Sequence, residues 1–304
     1  MTNNKIKGGL YGLLIGDALG VPYEFYDKSE IPQYEQIEMK PPKGFRRSHN
    51  VKAGTWSDDG AQALCLWKSL KDKGTLDLID FTDKMLDWFT KGYMAVDGRV
   101  FDIGNQTLMA LSAYQRGTPA TQSGMINPDG KGNGALMRVL PLALWHTGSD
   151  EELVEFAHRQ CLPTHGAITN QVCCALYCLI ARKLMKRYTF DSALKCAVKQ
   201  LDEIYEDRQE YAEEFDALNP YEAEIWTGKG TGYVVDCLKS AVMIMLEAQS
   251  YEQAVKMAIQ LGNDTDTTAC VTGGLAGIIF EYDNIPTRWI EQLRGKEIIA
   301  ILEK

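Results

Sequence analysis

Thr268-Ala269-Cys270-Val271-Thr272-Gly273-Gly274-Leu275-Ala276-Gly277-Ile278-Ile279-Phe280 runs for 13 residues without a charge. Its apolar side chains recur at three and four, the helical period, and it has no charged face to turn toward water. The stretch therefore reads as a helix buried on most sides. Ala167 to Ile180 has the same character, and that periodicity continues to Met185. Helical spacing also marks Ala61 to Leu70, Leu78 to Phe89, Ala135 to Trp145, Glu151 to His158, Phe190 to Ile204, Tyr233 to Leu246 and Tyr251 to Ile259. No set of alternating strands bounded by turn signals accompanies them, so the chain is expected to be all-α.

Glycine bears on the packing. Gly8, Gly9, Gly12, Gly16 and Gly20 cluster near the start, Gly130, Gly132 and Gly134 in the middle, and Gly273, Gly274 and Gly277 near the end. Glycine inside a helix costs stability relative to alanine, so close backbone packing or approach of a ligand has to offset it. Between the helical runs, Ile31 to Gly54 is the longest loop, rich in Pro and basic side chains. Glu206 to Gly232 is acidic and aromatic, and reads as a solvated insertion or a lid.

Immediately before the charge-free helix stands Gly262-Asn263-Asp264-Thr265-Asp266-Thr267, and some two hundred residues earlier stands Trp56-Ser57-Asp58-Asp59-Gly60. Adjacent helical side chains diverge by about 100°, and those two apart by about 200°, so neither pair of aspartates can share a helix face. Both belong in loops or first turns, where side chains can be aimed at one point. Helix capping accounts for one short polar residue per helix, with Asp59 and Gln62 forming a variant capping box. Each knot offers more: two carboxylates and a hydroxyl, from Ser57 or Thr267. If folding joins the knots, Asp58, Asp59, Asp264 and Asp266 repel one another severely unless cations intervene. The all-oxygen donor set suits two Mg²⁺ or Mn²⁺ ions, whereas zinc would favour His or Cys. None of the four histidines forms a metal-spacing doublet. Glu24, just beyond a Pro-containing stretch that ends the first helix, becomes a candidate base beside such ions.

The bulk properties narrow the partners. A chain of 304 residues, 45% hydrophobic, can bury a large core. A net charge of −9 argues against sequence-independent nucleic-acid binding. Cys174 and Cys178 share a helix face, but no nearby His completes a zinc site, and the eight cysteines read as buried thiols. Reduced cysteines and the lack of a cleavable leader point to the cytoplasm. No apolar run is long enough to span a membrane.

Taken in order, the motifs resemble those of the ADP-ribosylglycohydrolases of the dinitrogen-reductase-activating type. The markers are the Gly8 to Gly20 opening, the Glu24 stretch, Trp56-Ser57-Asp58-Asp59 and Phe101-Asp102-Ile103-Gly104-Asn105. They continue with Gly132-Asn133-Gly134-Ala135-Leu136-Met137-Arg138, Thr164-His165, Thr231-Gly232-Tyr233 and Gly262 to Thr267, ending near Ile285-Pro286. The resemblance covers nearly the whole chain. It implies one domain over residues 1–304, a compact orthogonal helical bundle with a binuclear Mg²⁺ or Mn²⁺ centre. By the same resemblance Ser57, Asp58, Asp59, Asp264, Asp266 and Thr267 would hold the metals, and Glu24 would lie beside the scissile bond. Asp102 would contact the ribose or the leaving group, and Glu24 or Asp102 would be the catalytic carboxylate that manages proton transfer. Gly132, Asn133, Gly134 and His165, with Gly232 and Tyr233, would line the ADP-ribose channel. The Gly-Asn-Gly run also makes physical sense alone, because backbone N–H groups without side chains can approach a pyrophosphate.

Three positions depart from the family pattern. Gly60 stands where many members carry Thr, Lys131 where some place an aromatic against adenine, and Glu281 where Gly is common. None removes a metal ligand or Glu24. The implied activity is metal-dependent cleavage of the ribose C1″ glycosidic bond, with ADP-ribosyl-arginine on protein the leading substrate. Serine, a nucleic-acid base or a small ADP-ribose conjugate could present the same ribose, and a monomer is expected. A noncatalytic ADP-ribose-binding relative is a second possibility. A class I terpene synthase is a remote one, because Val271 and Gln62 stand where that motif needs acids. Metal hydrolases of the His-Asp type fail for want of that doublet.

Overall fold

Gly8, Gly12, Gly16 and Gly20 lie four apart, so on a helix they form one flat stripe with no side chains. The computed structural model, which describes residues 2–127 and 130–302, shows what fills it. Helix α1 (Thr2–Gly20) lies antiparallel against the last long helix, Thr265–Phe280, at backbone contact. A Cβ on Gly8 would overlap the Gly277 carbonyl, one on Gly12 the Gly273 carbonyl, one on Gly16 the Ala269 carbonyl, and one on Gly20 the backbone of Asp266. Three hydroxyls anchor these two helices, one across the pair and two from neighbouring elements. Tyr251 Oη donates to Gly12 O at 2.7 Å, Tyr177 Oη to Val271 O at 2.8 Å, and Thr265 Oγ1 to Gly20 O at 2.9 Å. This pairing sets the end of the first helix beside the start of one that begins 245 residues later.

Around the pair are α2 (Asp58–Lys73), α3 (Leu78–Lys91), α4 (Asn105–Gln115), α5 (Leu140–Trp145), α6 (Asp150–Cys161) and α7 (Ile168–Met185). They are followed by α8 (Phe190–Tyr205), α9 (Gln209–Asp216), α10 (Val234–Glu247), α11 (Tyr251–Ile259), α12 (Thr265–Phe280), α13 (Thr287–Gln292) and α14 (Lys296–Leu302). Among the described residues there is no strand, only one isolated bridge between Gly132 and Tyr233. The all-α expectation holds, and α7 is indeed central, with Val172 to Ala181 buried without a break.

The boundaries differ from the periodicity where the site lies. Helices α2 and α12 each start three residues earlier than the apolar pattern, so Asp58, Asp59 and Asp266 occupy first turns and Asp264 directly precedes one. The run from Ala135 to Trp145 is not one helix. A 3-10 turn at Asn133–Ala135 precedes α5, and Pro141 sits in the first turn of α5, the one place where its missing N–H costs nothing. The Glu206 to Gly232 stretch contains α9, which docks on α7 through Thr169 Oγ1 to Glu214 (2.5 Å) and Tyr211 Oη to Gln171 Oε1 (2.8 Å). All eight cysteines are free thiols, and seven are buried. No described helix is long and apolar enough to cross a membrane.

Candidate active site

The first knot is shaped by a residue that sequence reasoning passed over. Asp17, on the last turn of α1 and fully buried, accepts hydrogen bonds from Ser57 N at 2.9 Å and Gly60 N at 2.8 Å. It thereby satisfies two amides around the start of α2 from another element. Gly60 has little room for a side chain, since a Cβ there would stand 3.0 Å from the Asp17 Oδ2 and 2.9 Å from the Trp56 ring. Ser57 is the N-cap, its hydroxyl accepting from Asp59 N at 3.3 Å. The variant capping box of Asp59 and Gln62 is therefore not formed. Gln62 instead donates to Asp58 Oδ2 at 3.0 Å.

The second knot is held by main-chain exchange. Phe25 N donates to Asn263 O and Asn263 N to Tyr26 O, both at 2.7 Å. Phe25 (φ 66°), Asn263 (φ 59°) and Asp102 (φ 62°) all adopt left-handed conformations, which L side chains seldom do. For Phe25 this is strained, and it follows the carboxylate of Glu24 directly. Asp264 is the residue before α12, and no capping bond from its side chain forms. That carboxylate accepts from Asn133 Nδ2 at 2.8 Å instead. The two knots meet: Thr267 Oγ1 donates to Asp59 Oδ1 at 3.3 Å, across 208 positions of chain.

A cleft of 420 Å³ opens over this junction. Its walls include Glu24, Asp58, Asp59, Asp102, Asp264 and Thr267 on one side, and Gly132, Asn133, Gly134, His165 and Gly232 on the other. Ser57 and Asp266 are buried and do not line it, but an Asp266 carboxylate oxygen lies within 4.8 Å of those of Glu24 and Asp264, which do. Tyr233 is not in the wall. Its backbone bridges to Gly132 while its ring is exposed at the edge. Carboxylate oxygens of Glu24, Asp264 and Asp266 fall within 4.8 Å of one another, as do ligand atoms of Glu24, Asp102 and His49. His49 was the other residue missed. Its Nε2 stands 2.5 Å from Glu24 Oε2 and 3.7 Å from Asp102 Oδ1.

The electrostatics of this cluster are unbalanced. Burial, and then the surrounding carboxylates, hold Asp58, Asp59 and Asp266 well above the usual carboxyl range. Burial, with Asp102 and Asp264 adding, pushes Glu24 up to about 11, and burial raises Asp17 to about 7 against its two amide donors. Among the described residues, His49 is the one basic group within salt-bridge reach, and burial lowers its own pKa. Asp59 Oδ2 and Asp266 Oδ2 are buried with no hydrogen-bond partner among the described residues. Unpartnered carboxylate oxygens of this kind, one in the first turn of each of two helices, fit a hard divalent cation.

The opposite wall corrects one expectation. Asn133 N is already spent on Gly232 O at 3.0 Å, so that amide is not open to a phosphate. The bare face of Gly134 makes room for His165, whose Cε1 would lie 2.6 Å from a Cβ there. His165, held neutral by burial, accepts or donates at Thr164 Oγ1, 2.8 Å away. Behind both walls runs a buried polar chain. Arg138 bonds Gln62 Oε1 at 2.9 Å, Gln160 O at 3.0 Å and Thr164 Oγ1 at 2.7 Å. Asp58 on one wall and His165 on the other are thus linked through a single fully buried guanidinium.

Comparison with known proteins gives a consistent result. The sequence profile described as ADP-ribosylglycohydrolase matches residues 1–304. The chain is 31% identical to an ADP-ribosylarginine hydrolase of Serratia proteamaculans, over 98% of its own length and 78% of that protein's. It is 27% identical to the ADP-ribosyl-(dinitrogen reductase) glycohydrolase of Rhodospirillum rubrum, over 97% and 92% of the two chains. Among solved structures, it matches a chain of an ADP-ribosylglycohydrolase-related protein complex with a TM-score of 0.79 and 29% identity, covering 99% of this chain and 96% of that one.

Proposed function

The chain belongs to the ADP-ribosylglycohydrolase family of glycosidic-bond hydrolases, and from that premise we propose that it removes ADP-ribose from modified arginine side chains of proteins, as a single domain. Support for arginine as the acceptor comes from similarity to enzymes whose names specify it, at 31% and 29% identity. Support for the site comes above all from one observation, the convergence of six carboxylates from four distant stretches on one cleft, with two buried oxygens left unpartnered.

In this reading Ser57, Asp58, Asp59, Asp264, Asp266 and Thr267 hold two Mg²⁺ or Mn²⁺ ions. When bound, such ions neutralise the carboxylates, polarise ribose hydroxyls and acidify a water. The protein supplies the rest. Gly132, Asn133, Gly134 and Gly232 leave space for the ADP moiety, Tyr233 marks its rim, and neutral His165 offers a hydrogen bond without a charge. Asp102 positions the ribose. Glu24, next to the anomeric carbon, steadies the positive charge that develops as the C1″–N bond lengthens and takes a proton from the attacking water. The water oxygen bonds to C1″, the C1″–N bond breaks, and the leaving guanidine gains the proton. The products are ADP-ribose and unmodified arginine.

Arginine-, serine- and DNA-linked ADP-ribose, assayed side by side with Mg²⁺ and with chelator, test this directly. Arginine-linked substrate should be cleaved, in the presence of cation only. Glu24→Gln should lower kcat by roughly 10²–10⁴-fold and leave ADP-ribose binding intact. Full turnover by that variant would show that the Glu24 carboxylate takes no part in the chemical step.

A further inference from the structure

The segment that carries His49 into the carboxylate cluster has a second cavity along it. Arg47, Asn50, Val51 and Lys52 line a cleft of about 580 Å³, together with Val96, Asp97 and Arg99 of the stretch that leads into Asp102. Its charge is opposite to that of the catalytic cleft. Lys40, Lys43, Arg47, Lys52, Arg99 and Arg294 all face it, against one carboxylate, Asp97. Asp97 is taken up by Arg294, at 2.8 Å, and lies 4.0 Å from Lys52. Arg47 and Arg99 donate to main-chain carbonyls, of Val51 at 2.8 Å and Asn50 at 2.7 Å, and among the described residues neither has a carboxylate partner. Lys40 and Lys43 are exposed and have no ion-pair partner among the described residues.

A cleft lined by one sign of charge focuses its field on ligands of the opposite sign, here anionic ones, even in a chain of net charge −9. We propose that this basic cleft binds carboxylate-bearing residues flanking the modified arginine of a protein substrate, while the ADP-ribosyl group enters the adjacent catalytic cleft. The inference rests on the hydrolase activity proposed above and adds to it a preference for acidic surroundings. A protein segment fits better than a nucleic acid. Outside this lining the chain is net negative, so a long polyanion leaving the cleft would meet unfavourable charge. Contacts of this kind act mainly on encounter and orientation, so they should appear in KM and in salt sensitivity and not in kcat.

The test compares three substrates: a peptide with ADP-ribosyl-arginine flanked by glutamates, the same peptide flanked by serines, and free ADP-ribosyl-arginine. The enzymes are the wild type and the triple variant Lys40→Glu/Lys43→Glu/Lys52→Glu, whose changed side chains are exposed and outside the catalytic cleft. For the wild type, KM should be about tenfold lower for the glutamate-flanked peptide than for the serine-flanked one, and the gap should close as salt is raised. In the variant the gap should vanish or invert, with kcat unchanged and free ADP-ribosyl-arginine cleaved as before. Equal KM values for the two peptides in the wild type would overturn the proposal. So would an oligonucleotide, or a second copy of the chain, whose binding is lost in the same variant. If the wild type cleaves none of the three, the hydrolase reading fails and takes this inference with it; cleavage of free ADP-ribosyl-arginine without a flank preference removes the inference alone.

Discussion

Asp17 touches none of the residues proposed to meet substrate, yet the first aspartate knot is built on it. Both its oxygens are committed to N–H groups of Ser57 and Gly60, so an Asn there would set an amide NH₂ against an N–H donor. Asp17→Asn is expected to loosen the start of α2 and weaken divalent-cation affinity by about 10–100-fold, with kcat recovered at saturating cation. Titration calorimetry with Mn²⁺ measures this, and an unchanged affinity would contradict the positioning role. The residue also shows where sequence reading stops. The pairs Asp58–Asp59 and Asp264–Asp266 announce themselves because two acids and a hydroxyl crowd one turn. A lone acid at the end of a glycine-rich helix carries no such signal, and its partner amides are forty positions away. His49 was hidden for the same reason, since its meaning lies in proximity to Glu24 and Asp102, which only the folded chain supplies.

At the scale of elements, the glycine stripe of α1 determines the site. Its four-residue spacing is plain in the sequence; that its partner is α12 is not, because nothing in either stripe specifies the other. Alanine ordinarily stabilises a helix over glycine by about 1 kcal/mol. Gly16→Ala should do the opposite in this helix pair, costing about 1–3 kcal/mol, because the methyl would overlap the Ala269 carbonyl. Denaturant unfolding of the variant checks the sign, and a gain in stability would show that the two backbones are not in contact. Helix α4 escaped notice for a different reason. Its apolar residues Leu108 to Leu111 are contiguous and go round the helix, which blurs the three-and-four spacing of its inward-facing Thr107, Ala110 and Leu111. The Ala135 to Trp145 run misled in the reverse direction, with good spacing overruled by Pro141.

For the molecule as a whole, crowded carboxylates couple folding to cations and to pH. In chelator, Asp17 at about 7 and Glu24 at about 11 sit above their ordinary values of 3.8 and 4.5. The folded chain then holds protons that the unfolded chain releases, so stability is lost as pH rises from about 4 upward through those values. Thermal unfolding of the cation-free protein should therefore show a midpoint that falls between pH 5 and pH 8, with Mg²⁺ restoring stability most at the alkaline end. A Mg²⁺ effect independent of pH would mean that the carboxylates are not what the ion neutralises.

The most direct measurement is a crystal soaked in Mn²⁺ and recorded at a wavelength where manganese scatters anomalously. Two peaks should appear within the Glu24, Asp58, Asp59, Asp264 and Asp266 cluster, each within about 2.0–2.4 Å of carboxylate oxygens drawn from both ends of the chain. Millimolar Mn²⁺ with no anomalous density between the two knots would contradict the account.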